Sequence, residues 1–141
     1  MKHKIPTVRQ LETELSQQIR NFYLEKIDFK TQKITCRLFS KYLAIVVDNA
    51  VTPVEFNLWQ SGDRELVRQI RKEINDFFKP QLSKLIADIL NVEVVGLLIE
   101  TAFETDRLIV LAILSQSPQV RNYRVKLSND EWQKRLPNIE D

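Results

Sequence analysis

Side chains able to do chemistry are few in this chain, and they are scattered. It has one histidine, His3, and one cysteine, Cys36. A nucleophilic triad needs an imidazole beside its nucleophile, and a zinc centre needs several His or Cys ligands at short spacing. Neither can be built from these two residues. Cys36 shares the parity of Ile34 and Leu38 in an alternating segment, so it reads as a small buried apolar residue. The acids fall into two loose groups. Asp48, Glu55 and Asp63 flank a short helix, where Glu55 and Asp63 occupy capping positions. Glu100, Glu104 and Asp106 surround a hairpin turn, where their oxygens could hold a hard cation, but the spacing matches no cation-binding loop. Arg64, Arg68, Arg71 and Lys72 line the outside of a long helix and could meet a phosphate. Glu65, Glu73 and Asp76 share that helix, and i,i+4 pairing explains the stripe equally well. A helix N-terminus at Thr52 is a further anion-favouring feature. The candidate ligand or partner surface is therefore Thr52, Arg64, Arg68, Arg71 and Lys72. No catalytic residue, cofactor site or metal site is assigned.

Composition narrows the chemistry further. Of 141 residues, 43% are hydrophobic, 28% are charged and only two are glycine. An average chain of this length would hold about ten glycines. Gly-rich phosphate loops need several positions without a Cβ, so they are excluded. The single cysteine excludes an intrachain disulfide framework. A net charge of +2 is too small to imply nucleic acid, although residues 1–41 carry nine basic and four acidic side chains. The opening MKHKIPTVRQ lacks the apolar core of a signal peptide. The longest apolar runs, LAIVV and LIVLAIL, fall well short of the ~20 residues that span a bilayer. A soluble, cytoplasmic protein without direct membrane insertion is expected.

The elements that position these residues can be read from periodicity. Thr7 and Gln10 form a capping box, and Val8, Leu11, Leu15, Ile19 and Phe22 recur at helical spacing over 8–24. From Lys33 the period becomes two. Ile34, Cys36 and Leu38 mark one strand, Ser40-Lys41 a reversal, and the apolar run from Tyr42 to Asp48 a mid-sheet strand. Thr52, Pro53 and Glu55 give a second capping box and a short helix through Trp59. Gly62 can take the left-handed conformation after it, and Asp63 can cap the next helix. That helix carries Leu66, Val67, Ile70, Ile74, Phe77 and Phe78 inward, so Phe56, Trp59, Phe77 and Phe78 all read as core. Pro80 should kink or break it near Phe78, with the pattern resuming to Asn91. Two largely buried strands follow, Glu93 to Thr101 and Arg107 to Leu114, with Gly96 marking a bulge or close backbone packing.

This order predicts an α+β two-layer sandwich: a four-stranded, mainly antiparallel sheet of two hairpins, with helices on one face. Residues 1–114 form one domain. Residues 115–141 form an extension that contains Val120, Tyr123, Val125 and Leu127 and a third capping box at Ser128 and Glu131. It is expected to dock on the domain or on a second subunit.

The segment from Val51 to Leu114 resembles the MpsC-like family, a bacterial family linked to a sodium-translocating, membrane-potential-generating system. The matching positions are Val51, Thr52, Pro53 and Glu55 in the turn, then Gly62, Asp63, Val67 and Arg71 in the long helix. With the first helix and hairpin included, the resemblance covers roughly residues 8–114. Many members have a Gly-x-Gly-Pro turn before the first strand, whereas residues 26–32 here contain neither glycine nor proline. The resemblance implies a non-enzymatic accessory or regulatory protein that docks on a membrane ion or inorganic-carbon transport complex or on a regulatory protein. The apolar surplus on both hairpins implies a homodimer. Two alternatives stay open: a small-ligand or anion sensor, and a nucleic-acid-binding regulator. The latter is disfavoured because no aromatic platform alternates with the basic stripe.

Overall fold

The computed structural model describes residues 5–27 and 33–121. Its elements run α1 (Val8–Ile27), β1 (Lys33–Phe39), β2 (Tyr42–Asp48), α2 (Pro53–Gln60), α3 (Arg64–Leu90), β3 (Val94–Ala102), a 3-10 turn (Phe103–Thr105) and β4 (Arg107–Leu114). The four strands form one antiparallel sheet in the order β1-β2-β4-β3. The expected α+β sandwich is the fold found. The glycine-free stretch before β1 and the third capping box fall on residues outside those described, apart from the end of α1.

The first two helices begin where their cap chemistry predicts. The Thr7 amide donates to Gln10 Oε1 at 2.9 Å, and the Gln10 amide donates to Thr7 Oγ1 at 3.1 Å. This is a complete capping box that satisfies two orphan amides of α1. Thr52 and Glu55 make the same reciprocal pair at the start of α2, with Pro53 in the first turn. Gly62 follows α2 at φ +92, a conformation that L side chains resist. Asn91 ends α3 in the left-handed region at φ 56, its amide donating to Ala87 O. Asp63 precedes α3 but makes no side-chain cap, so that expectation is corrected.

The core lies between one face of the sheet and two helices. Leu11, Leu15 and Ile19 of α1 and Leu82, Ile86 and Leu90 of α3 pack onto Ile34, Cys36, Leu43, Ile45, Val47, Leu97, Leu108, Val110 and Ala112. An aromatic knot locks α1 to α3. Phe22 meets Phe78 edge-on at 5.1 Å between centroids, and Tyr23 lies 5.9 Å from the same ring. In β3 the register shifts between Val94 and Gly96, the bulge expected there. A Cβ on Gly96 would come within 3.2 Å of Ile113 Cδ1, so the glycine also serves close packing.

Pro80 does not break α3, which runs unbroken for 27 residues. The physical reason is local. Pro80 sits on the solvent face, where water can serve the carbonyl it deprives. The neighbouring Phe77 carbonyl accepts from Gln81 Nε2 at 3.2 Å. Phe78 and Leu82 lie on either side of the proline and are buried in the core. Their packing outweighs the ~3 kcal/mol that an interior proline costs.

Two further readings are corrected. Phe77 is 64% exposed and Phe56 47%, so only Trp59 and Phe78 of the four aromatics belong to the interior. The second hairpin is also buried on one face only: Val95, Leu98 and Ile109 are exposed.

Candidate functional site

Four of the five candidate site residues lie on α3 and the fifth at the cap of α2, so the α2–α3 corner determines what they can do. Glu55 is 1% exposed and Arg71 4%. Arg71 was read as an outward member of the basic stripe, and the structure turns it inward. Its Nε donates to Glu55 Oε2 at 2.8 Å, and its Nη2 donates both to Glu55 Oε1 and to the Ala50 carbonyl, the latter at 3.2 Å. Glu55 Oε1 also accepts from the Thr52 amide at 3.3 Å and the Thr52 hydroxyl at 2.8 Å. The buried carboxylate thus closes a capping box and neutralises a buried guanidinium. A sequence signal for this existed: Arg71 lies four residues after Val67 and three before Ile74, on the apolar stripe itself. The consequence for binding is direct. The anion position at the α2 N-terminus is taken by the chain's own Glu55, so Thr52 and Arg71 are both engaged internally.

Arg64, Arg68 and Lys72 do face outward. Arg64 lies 4.5 Å and Arg68 5.4 Å from the centroid of Trp59, and that ring stacks on Phe103 at 4.5 Å and 16°. The arginines therefore cover a buried indole, a cation–π arrangement with a packing role. Below them, a cavity of about 420 Å³ opens between α3 and β3. Arg68, Lys72, Glu100 and Glu104 are among the residues at its rim. Lys72 Nζ holds Asp76 at 2.7 Å, and that hydrogen bond pushes the lysine up from its ordinary value. Like numbers of basic and acidic groups line the cavity, so it focuses no strong field of either sign. Thr101 lines it too, and its buried Oγ1 has no partner among the described residues.

The acids of the second hairpin do not converge. Asp106 is structural: it sits at φ 53, and its Oδ1 accepts from the Val51 amide at 2.8 Å. Its carbonyl accepts from the Asn49 amide at 2.9 Å. Asp48 pairs with Arg107 at 3.0 Å. Among the described residues no three His, Cys, Asp or Glu side chains gather into a group that could hold a metal ion. Cys36 is buried, and burial pushes its thiol up, away from the reactive thiolate.

Among the described residues, no helix covers the sheet face opposite α1 and α3. Register places Tyr42 beside Ile113, Ala44 between Arg37 and Leu111, and Val46 between Thr35 and Ile109. Leu98 of β3 pairs with Leu111, and Glu100 with Ile109. Leu98 is 59% exposed, Phe39 53%, Ile109 46% and Tyr42 40%. An antiparallel sheet with one wet face usually alternates apolar and polar. This one is apolar on both faces, with basic Lys33 and Arg37 on the β1 side and Glu100 on the β3 side. The missing alternation predicts burial on both faces within one chain, whereas Leu98, Phe39, Ile109 and Tyr42 are exposed.

No helix among the described residues is long and apolar enough to cross a membrane. A family model described as the Na+-translocating membrane potential-generating system, MpsC, matches residues 7–116. No curated protein and no solved structure matches significantly.

Proposed function

Because the chain belongs to the MpsC family, we propose that it is a non-catalytic accessory or regulatory component of a membrane ion or inorganic-carbon transport assembly. In this reading it acts as a homodimer joined through the open sheet face. The observation that carries it is that face, where no helix among the described residues covers Leu98, Ile109, Leu111, Ile113 and Tyr42. Exposed contiguous apolar patches on this scale mark interaction sites.

A second copy fits the face in size and charge. Four strands of this length cover about 500 Å² in projection from standard strand spacings. Protruding side chains enlarge the accessible area toward the ~600–800 Å² per partner of stable interfaces. A two-fold axis along the strands sets β1 of one copy over β3 of the other. The Lys33 and Arg37 edge then approaches Glu100 of the second copy, twice over. The non-catalytic part of the reading is supported by how the polar groups are used: Glu55 and Arg71 neutralise each other, and Asp106 holds a loop.

Light scattering on the eluting chain should give twice the monomer mass at ~10 µM. Leu98→Lys with Ile109→Lys should return it to monomer without loss of helical signal. A monomeric wild type removes the dimer. Detergent-solubilised membranes passed over the tagged chain test the assembly, and recovery with no membrane protein attached counts against it.

A second reading, an anion sensor at the α3–β3 cavity, is favoured by the Thr101 hydroxyl, which has no partner among the described residues and lines that cavity with Arg68. Millimolar phosphate or bicarbonate should then raise the melting temperature, and Arg68→Ala should abolish the rise. No rise in the wild type ends that reading.

A further inference from the structure

β1 ends the sheet, and no strand among the described residues pairs with its outer side. The hairpin register sets Phe39 opposite Tyr42 across a two-residue turn, so Phe39, Arg37 and Thr35 bond inward to β2. The amides and carbonyls of Ile34, Cys36 and Leu38 therefore point outward. Two of these groups are met by side chains of the chain itself. The Leu38 amide donates to Glu12 Oε2 at 2.7 Å, and the Cys36 carbonyl accepts from Arg37 Nη1 at 2.9 Å. A carboxylate and a guanidinium thus stand where a neighbouring strand would offer a carbonyl and an amide. The amides of Ile34 and Cys36 have no hydrogen-bond partner among the described residues. Such an edge is a template for strand addition.

A groove of about 900 Å³ runs along this edge, between β1 and α1. Its charge is one-sided. Arg9, Lys33, Arg37 and Arg121 line it against a single acid, Glu12, whose carboxylate already accepts from the Leu38 amide. The two faces of β1 differ as well. Ile34 and Cys36 are buried toward α1, whereas Lys33 and Arg37 are exposed on the other side. A strand laid on this edge has its alternate side chains sorted in the same way. These charges disfavour a second copy of β1. A two-fold axis through Thr35 would set Lys33 opposite Arg37 twice, and like charges directly opposite destabilise a strand pair.

We propose that the β1 edge binds an extended segment of a partner protein by strand addition, a segment in which acidic and apolar residues alternate. The partner's main chain pairs with the amides and carbonyls of Ile34 and Cys36 and ends short of the Leu38 amide, which Glu12 covers. Its apolar side chains share the face of Ile34 and Cys36 and enter the groove toward Val8, Thr13 and Ser16 of α1. Its acids fall on the outer face opposite Lys33 and Arg37, and Arg37 exchanges the Cys36 carbonyl for a carboxylate. Main-chain bonds supply the affinity, and the alternating side chains supply the specificity. This site lies along the rim of the sheet and does not rest on a dimer formed through its face.

Nuclear magnetic resonance on the nitrogen-15-labelled full chain tests it, with a heptapeptide of alternating glutamate and valine as the probe. Titration to about 1 mM peptide should give saturable amide shifts centred on β1. At saturation the Ile34 and Cys36 amides should exchange about tenfold slower or more, while Thr35 and Arg37, already bonded to β2, keep their rates. A heptapeptide of the same charge with proline at its centre should bind at least about tenfold more weakly, because it lacks a ladder donor. Lys33→Gln with Arg37→Gln, both on the exposed face, should weaken the glutamate peptide about fivefold or more. Lys33→Glu with Arg37→Glu should instead prefer a lysine–valine heptapeptide. The absence of saturable shifts overturns the proposal. So does equal binding of the proline peptide, equal binding of the lysine peptide by the wild type, or unchanged affinity in the charge variants. Slow exchange of Ile34 and Cys36 before any peptide is added also overturns it, because the edge is then already taken.

Discussion

Arg71→Met is the most searching test of how the α2–α3 corner is held. Methionine fills much of the arginine's volume, so the change is chiefly one of charge. It leaves Glu55, 1% exposed, with only the Thr52 donors, and the Ala50 carbonyl without a donor. Removing one partner of a buried ion pair costs about 3–5 kcal/mol, and an unsatisfied buried carbonyl about 1–3 kcal/mol. These costs overlap, so about 4 kcal/mol is expected, a quarter or more of the ~5–15 kcal/mol that holds a domain together. Urea unfolding followed by circular dichroism, with tryptophan fluorescence as second probe, should show the midpoint falling by roughly 2 M. Adding Glu55→Gln should restore at least about 2 kcal/mol. The stranded charge is gone, and glutamine still serves a capping box. The wild-type midpoint should change little on account of this pair when salt is raised, because screening acts mainly on exposed charges. A cost below about 1 kcal/mol, or simple additivity of the two single variants, would refute the claim that a desolvated pair secures the corner.

Four other expectations follow from the same geometry. Burial pushes Tyr23 from 10.0 to about 12, so the folded state holds the phenol proton more tightly. The resulting stabilisation is intact below pH 10 and is lost as pH rises from 10 to 12, up to about 2–3 kcal/mol; urea midpoints at pH 8 and 11.5 should show it, and Tyr23→Phe should flatten the difference. Asn91 caps α3 at φ 56, so Asn91→Gly should be neutral or stabilising while Asn91→Val costs about 1–2 kcal/mol in thermal unfolding. Pro80→Ala should stabilise by about 1–3 kcal/mol, because α3 is already continuous and regains a backbone donor. Cys36, buried and with its thiol pushed up, should react with an aromatic disulfide reagent at pH 8 only as fast as the core opens, and at once in denaturant.

The parts of this fold legible in the sequence were those determined by short-range chemistry. The capping boxes at Thr7 and Thr52, the left-handed Asn91 and the bulge at Gly96 each depend on a few adjacent residues, and each is where the sequence places it. The two hairpins and their strands follow from a change of period. What failed to show was the outcome of competition between local rule and distant packing. Pro80 obeys its local rule in peptides, but Phe78 and Leu82 anchor the helix on both sides of it. Arg71 looked outward by residue type, yet its partner Glu55 is 16 positions away and on another helix. The open sheet face was visible as a lack of alternation, but a sequence cannot say which of two apolar faces the helices will choose. Thr52 and the arginines were sound anion-site candidates by composition. Only geometry shows Glu55 already seated at that helix end.

The strand order carries a consequence for how the molecule assembles. Each hairpin is local, closing on the microsecond scale by a short reversal. The two halves of the sheet meet only along β2 and β4, where Asp48 finds Arg107 59 positions away. Closing a chain segment of that length costs about 3–4 kcal/mol of entropy beyond a fixed constant, and no contact along the seam exists until it is met. The seam is thus the natural rate-limiting event of folding. Substitutions at Leu43, Ile45 and Val110 should slow refolding, whereas those confined to α2 should mainly hasten unfolding. The 27-residue α3 takes up nearly half of that separation, so a helix formed early would shorten the search.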